Sequence, residues 1–295
     1  MKKMGKVFGK AKARRNIAGA IEDIKKHLEE VTQLTGVDKS RDELVSMLMT
    51  LQPDDGTSNQ KMKKVSIVGV GGLGKSTLAK AVYEKLKSQY DCGAFISIGR
   101  DYDLVKVFMD ILFHLDGEKR SNFTNQWFFH FGVDRYFIVF DDVWEVRTWK
   151  AIELEVVENN LGSKVITTTR NFDVAKTFGK VYKLKPLSYD DSMKLFYTRL
   201  SGADRKFHEI SEKILKKCAG IPLAIITMAS LLAGKPECEW SMVYNSIGLD
   251  TGGNREAEDT MTILSFSYYD LPPDLRTCLL YLSTYPEDYE IEKDL

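Results

Sequence analysis

The chain has no excess of either charge: Lys and Arg together number 42, and so do Asp and Glu. A balanced chain carries no global field that would draw it to nucleic acid or to an acidic lipid surface. It has no run of 18 apolar residues, which excludes a membrane-spanning helix by pattern. Cysteine is scarce: Cys92, Cys218, Cys238 and Cys278 are widely scattered, with no paired metal-ligand spacing. That excludes a disulfide framework or a zinc module and fits core thiols in a reducing, cytoplasmic compartment. The first fifteen residues hold seven basic side chains and no acidic one, but no apolar core for a secretory signal; a serine-poor organelle transit segment is the alternative to a solvated, partly disordered end. They read as a solvated end. What is present is an ordinary hydrophobic fraction of 43% over 295 residues, enough for a sizeable core and for two or more domains.

The chain is organised around Val65-Ser66-Ile67-Val68-Gly69-Val70-Gly71-Gly72-Leu73-Gly74-Lys75-Ser76-Thr77-Leu78. Gly69 to Ser76 is a complete Gly-x-x-x-x-Gly-Lys-Ser pattern. The β-branched run before it has the composition of a buried parallel strand. Leu78, Val82 and Leu86 behind it recur every four residues, one face of a helix starting near Lys75. Strand, glycine loop and helix together make a phosphate cradle, in which backbone N–H groups converge and the helix N-terminus adds its positive dipole end. In that reading Lys75 reaches the β- and γ-phosphates and the Ser76 hydroxyl completes a Mg²⁺ shell. The same residues also spell Gly-x-Gly-x-x-Gly at Gly69, Gly71 and Gly74, a dinucleotide fingerprint, with Asp101 after the next strand as a ribose ligand. That alternative leaves Lys75 and Ser76 without a task.

Further along, residues 94–98 read as a strand and 104–115 as a helix with Val107, Ile111 and Leu115 on one face. Residues 122–131 are rich in aromatics and are assigned to core packing. Tyr136-Phe137-Ile138-Val139-Phe140 is a continuous apolar strand that stops at Asp141-Asp142. Because strand C-termini surround the phosphate loop in open α/β sheets, Asp141 is placed to face Mg²⁺ and Asp142 to orient or activate an attacking water. A further strand, 164–168, ends at Thr169-Arg170; an arginine on that rim could sense a γ-phosphate, the alternative being a surface ion pair, the commoner role for a lone arginine. Residues 181–184 form a fifth strand.

The pattern then turns helical. Ser188-Tyr189-Asp190-Asp191 is a helix start, with Met193, Phe196 and Leu200 on its apolar face. A helix with Ile210, Ile214, Leu215 and Cys218 follows, then a corner at Gly220 and Pro222 opening a helix at 223–233. Helices at 261–269 and 273–282 come last, the second with Leu275, Leu279 and Leu282 on one face. Near the start, Ile17, Ile21, Ile24, Leu28 and Val31 follow two heptads of an a/d seam.

With these pieces in order the sequence resembles the NB-ARC module of coiled-coil-type plant immune receptors, a STAND-class P-loop ATPase family. The resemblance rests on the phosphate loop, Tyr90-Asp91-Cys92-Gly93-Ala94-Phe95-Ile96-Ser97, residues 136–144, Gly162-Ser163-Lys164-Val165-Ile166-Thr167-Thr168-Thr169-Arg170 and Gly220-Ile221-Pro222-Leu223-Ala224. Leu271-Pro272-Pro273 and residues 278–288 also fit. It implies an α/β fold, a P-loop NTPase parallel sheet with helices on both faces, followed by a helical subdomain and a partial winged-helix subdomain. The expected divisions are 1–35 as the tail of a coiled-coil domain, 36–185 nucleotide-binding, 186–255 helical and 256–295 incomplete winged helix. It implies ADP/ATP and Mg²⁺ as cofactors. Val37 and Arg41 would lie near the adenine and ribose, Val70 and Leu73 in the loop, Lys75, Ser76 and Thr77 on phosphate and metal, and Pro222 over the adenine. Arg170 would tell ATP from ADP, on a strand between those of the phosphate loop and Asp141.

ADP would then hold the subdomains closed and exchange for ATP would open them. Self-association, or pairing with other receptors and signalling proteins, would follow. The family's Met-His-Asp segment and leucine-rich repeats are not in the sequence, so the expectation is a truncated module that binds nucleotide without full autoinhibition. A turning-over P-loop ATPase acting on nucleic acid is the alternative, disfavoured by the neutral charge. A decoy that has lost nucleotide chemistry is a third, disfavoured by the intact Lys75, Ser76 and Asp141.

Overall fold

The computed structural model describes residues 35–49, 61–100, 102–116, 135–156, 161–200, 208–246 and 273–285, with 263, 265, 268 and 269. The heptad segment 17–31 and the aromatic stretch 122–131 lie outside the described residues, as do most of the 52–61 connector and of the 261–269 helix. Helix α1 (Val37–Met49) comes first, and five short strands follow: β1 (Lys63–Val68), β2 (Cys92–Ser97), β3 (Tyr136–Asp141), β4 (Lys164–Thr169) and β5 (Lys180–Lys183). Between them run α2 (Lys75–Leu86), α3 (Leu104–Asp116), α4 (Val146–Glu155) and α5 (Phe172–Phe178). The strands form one parallel sheet in the order β2-β3-β4-β1-β5. β3 and β4 are buried at every position, which is why they read as unbroken apolar or threonine-rich runs rather than alternating ones.

Strand alternation divides the interior in two. On one face Val65, Ile67, Phe137, Val139 and Ile166 meet Leu78, Val82 and Leu86 of α2 and Leu44 and Leu48 of α1. On the other, Ala94, Ile96, Tyr136, Ile138, Phe140 and Val165 meet Val107 and Ile111 of α3, Trp149 and Ile152 of α4, and Val174 and Phe178 of α5. A slip of one residue in β3 would exchange its two sets of side chains, so the register is held by both packed faces at once. Trp149 is fully buried, its ring centroid 4.1 Å from that of Phe178.

After β5 come α6 (Tyr189–Arg199), α7 (His208–Cys218), α8 (Pro222–Leu232) and α9 (Glu237–Ser246). The helix start read at Ser188 is present: its hydroxyl accepts from the Asp191 N–H and donates to the Asp191 carboxylate, at 3.1 and 2.7 Å. Helix α8 opens on Pro222 and is apolar nearly all round, with Ala224, Ile225, Met228, Ala229, Leu231 and Leu232 buried. Phe196, Ile214, Leu215, Met228 and Trp240 of these helices join the same cluster as β1 and α2. The helical part therefore shares one continuous core with the sheet face that carries the phosphate loop. Helix α10 (Pro273–Leu282) follows, with Leu275, Leu279 and Leu282 about half exposed (52, 45 and 47%) against the described residues. The spacing identified a helix face but not a neighbour to cover it.

Candidate nucleotide-binding site

β1, β3 and β4 are adjacent and parallel, so their C-terminal ends form one rim. The phosphate loop leaves β1 there, Asp141 closes β3, and Arg170 follows β4 directly. The strand ending at Arg170 lies between the other two, as the resemblance implied. β2 lies three strand spacings from β1, roughly 14 Å. A dinucleotide fold sets these two strands side by side so that the acid after the second meets the ribose. The topology therefore overturns the dinucleotide alternative; Asp101 itself lies outside the described residues.

Within the loop, Gly72 and Gly74 adopt φ of +73° and +91°, the left-handed region that glycine enters without a Cβ penalty. Gly74 is also the N-cap of α2 and has no side chain to offer, so the first N–H groups of that helix are free of a side-chain cap. Lys75 is 6% exposed and its Nζ donates to the Val70 carbonyl at 3.0 Å, so the ammonium is folded back under the loop. Burial, aided by the Arg170 guanidinium, lowers its pKa, while Asp142 and Asp141 oppose the shift. Ser76, Thr77 and Val70 are exposed.

Asp141 is buried, and burial lifts its carboxyl above the usual carboxylate range against the lowering effect of hydroxyl donors from Thr168 and Ser76. Thr168 Oγ1 donates to Asp141 Oδ1 at 2.5 Å. Asp142 sits in the left-handed region at φ 55°, a strained setting that Asp tolerates better than most residues. Its N–H donates to Thr168 Oγ1 at 2.9 Å, so one threonine ties both aspartates to the neighbouring strand. The Asp142 carboxylate accepts from Trp144 Nε1 at 2.9 Å and stands 3.9 Å from Arg170 Nε. Arg170 reaches the loop as well: a Cβ placed on Gly71 would lie 3.3 Å from its Nη1.

The residue types at Ser76 and Asp141 fit a magnesium ion. They offer a hydroxyl and a carboxylate, both hard oxygen donors, held against each other by a hydrogen bond. Among the described residues no group of three or more Asp, Glu, His or Cys side chains is placed to hold a metal ion. Mg²⁺ is commonly held in that way, by one or two side chains and the phosphates of its substrate.

The residues that the resemblance implied for the adenine and ribose are arranged differently. Val37 opens α1 and packs on the core, and the turn before it abuts Leu187: a Cβ on Gly36 would meet Leu187 Cδ2 at 2.6 Å. Leu187 N–H in turn donates to the Gly220 carbonyl at 2.9 Å, so Val37 and the corner carrying Pro222 are neighbours through one residue. Arg41 is turned to its own helix, its guanidinium paired with Asp38 at 2.8 Å and Asp42 at 3.2 Å. The corner also touches the phosphate loop. Leu223 N–H donates to the Gly72 carbonyl at 3.2 Å, so the loop supplies a backbone cap for α8, whose own N-cap Ile221 has none to give.

Sequence reasoning missed Thr168, Trp144, Arg100 and Leu223 as parts of the site. Thr168 had a signal, since β4 ends in three threonines on a rim of aspartates; Leu223 acts through its backbone and left none.

A parallel sheet with a Gly-x-x-x-x-Gly-Lys-Ser loop after β1 and an acid at the end of β3 has the fold of a P-loop NTPase. Residues 43–204 match the NB-ARC domain model, more than half of the chain, and the protein belongs to that family. It is similar to the ToMV resistance protein Tm-2(2) of Solanum lycopersicum, 30% identical over 284 residues that cover 90% of this chain and 32% of the relative. It is similar also to disease resistance protein Pik-2 of Oryza sativa subsp. japonica, 26% identical over 331 residues, covering 89% and 32%. The chain thus spans about a third of the length of these curated relatives. Among solved structures it is similar to the FIGL-1 AAA domain in complex with ADP, with a TM-score of 0.44, 13% identity and coverage of 86% of this chain and 89% of that one. No helix among the described residues is long and apolar enough to cross a membrane.

Proposed function

We propose that this chain is the ADP/ATP-binding switch module of a plant immune receptor, in which the nucleotide held, rather than its turnover, is the output. The observation that carries the reading is the meeting of three things on one loop. Lys75 and Arg170 supply positive charge at Gly69–Thr77, Ser76 and Asp141 supply the metal donors, and the Gly72 carbonyl holds the first turn of α8. Phosphates bound in the cradle would draw on the same backbone that positions the helical part, which is the coupling a switch requires.

In this reading the loop N–H groups and Lys75 bind the β-phosphate, and Arg170 answers the presence or absence of a γ-phosphate. Val37 and Pro222 wall the adenine from two sides of Leu187. Arg41 would reach the ribose only by leaving Asp38 and Asp42. The bound Mg²⁺ would neutralise phosphate charge at Ser76 and Asp141. Asp142 has its carboxylate engaged by Trp144 and close to Arg170, which suits an orienting task and slow hydrolysis better than proton abstraction.

Isothermal titration with ADP and with ATP, each with Mg²⁺, against the wild-type chain and Lys75→Ala is the test. Saturable heats from the wild type, lost in the variant, support the site; identical heats from both proteins rule it out. A steady-state ATPase assay with and without nucleic acid separates the switch from a turning-over enzyme: many turnovers per minute, raised by DNA or RNA, would reverse the preference.

A further inference from the structure

Two guanidinium groups crowd one indole at the edge of this site. The Arg100 guanidinium carbon lies 3.8 Å from the centre of the Trp144 ring, and that of Arg170 lies 4.8 Å from it. The indole N–H is spent on Asp142 Oδ2 at 2.9 Å, and the other oxygen of that carboxylate faces Arg170 Nε at 3.9 Å. Asp142 is itself pinned, its N–H on Thr168 and its backbone at φ 55°. Ring and carboxylate therefore form two walls around Arg170, and its third neighbour is the phosphate loop at Gly71.

Like charges on one ring repel, and an arginine with nearly half its side chain in solvent has little else to keep it still. An exposed guanidinium loses rotamer freedom when a phosphate fixes it, and that loss is smaller if a platform already holds it. A flat aromatic face is the platform that suits a planar guanidinium. Arg100, the nearer of the two cations, holds the ring from the end of the β2 segment, while Asp142 holds it through the N–H.

We infer that Trp144 is a positioning residue for γ-phosphate recognition: braced by Arg100 and Asp142, it holds Arg170 over the phosphate loop and so sets the preference between nucleoside triphosphate and diphosphate. The inference rests on the proposed nucleotide site. It assigns Trp144 no contact with the nucleotide; the indole acts through Arg170.

The test is competition of ADP and of adenylyl imidodiphosphate against a fluorescent ADP analogue, with Mg²⁺, on wild type, Trp144→Ala, Trp144→Phe, Arg170→Ala and the Trp144→Ala/Arg170→Ala pair. Trp144→Ala is expected to weaken the triphosphate analogue relative to ADP by roughly two- to five-fold, the scale of one cation–π contact at a partly exposed site. Trp144→Phe, which keeps an aromatic face but drops the N–H to Asp142, is expected to show a smaller loss of the same sign, and it carries the test alone if the alanine variant does not fold. In the Arg170→Ala background the Trp144 change is expected to have no further effect on the ratio. Equal weakening of both ligands by the Trp144 variants, or an undiminished effect without Arg170, would overturn the inference while leaving the nucleotide site in place. A wild-type chain that binds neither ligand would overturn the proposed site and this inference with it.

Discussion

Replacing Gly72 by alanine isolates the term that holds the helical part against the phosphate loop, because Gly74→Ala serves as its control. Both positions are left-handed, at φ +73° and +91°, so each alanine meets the same backbone penalty of about 1–2 kcal/mol. Each also gains ~0.4–1 kcal/mol from a less free unfolded chain, which cancels in the comparison. The surroundings differ. A Cβ on Gly74 would meet nothing within 4 Å, whereas one on Gly72 would lie 2.9 Å from Leu223 Cβ, 3.2 Å from Leu223 Cδ2 and 3.4 Å from Ile221 Cγ2. Relief of that overlap moves the start of α8 away and stretches the 3.2 Å bond from Leu223 N–H to the Gly72 carbonyl. Overpacking of this kind costs about 1–3 kcal/mol. A lost backbone hydrogen bond adds roughly 0.5–1.5 kcal/mol. Gly72→Ala is therefore expected to destabilise the chain by about 2–4 kcal/mol more than Gly74→Ala. Urea unfolding followed by far-ultraviolet circular dichroism, without nucleotide, measures both differences. If the two variants unfold within ~0.5 kcal/mol of each other, the loop does not hold the helix and the coupling argument fails.

Lys164 offers a test in the opposite direction. It is 7% exposed, and burial, reinforced by Lys63 and Arg135, pulls its pKa down to about 8. Lys164→Met is expected to raise stability at pH 7 by about 1–3 kcal/mol, less than the full linkage of a shift that large. The folded-state pKa lies below the unfolded one, so from about pH 8 to 10.5 the native wild type sheds a proton that the unfolded chain keeps, and its own stability rises. The advantage of the variant should shrink across that window in urea titrations at stepped pH; an advantage that grew would contradict the burial argument. Ser188→Ala removes the cap of α6 and should cost about 1 kcal/mol, read from the thermal unfolding midpoint, while Ser188→Thr, whose hydroxyl can still accept from the Asp191 N–H and donate to its carboxylate, should cost less.

The elements that were legible beforehand are those whose cause is local. The run Val65–Val68, the glycines after it and the four-residue spacing of Leu78, Val82 and Leu86 each announce their own geometry, and the strand run and the three helix residues are buried where the pattern placed them. The Ser188 cap is one side chain answering an N–H three residues on. Helix α10 marks the limit of such signals: its period was readable, but Leu275, Leu279 and Leu282 remain about half exposed. The site divided along the same line. Lys75, Ser76, Asp141 and Arg170 could be named from residue type and position at strand ends, and the parallel sheet brings those ends to one rim.

Where each of those side chains turns was a different matter. Asp38 and Trp144 are near neighbours of Arg41 and Asp142 in the chain, but spacing alone does not say whether such a neighbour or a ligand engages each side chain. Turn, strand and cap are decided by sterics and hydrogen bonds between near neighbours in the chain, so the sequence alone determined them, together with the chemical inventory of the cradle. The order of the strands, the Arg100–Trp144–Arg170 cluster and the docking of Leu223 on Gly72 join segments far apart in the chain. They exist only because parallel crossovers wind several strand ends onto one edge and a shared core presses the helical part against it, and that arrangement belongs to the tertiary structure.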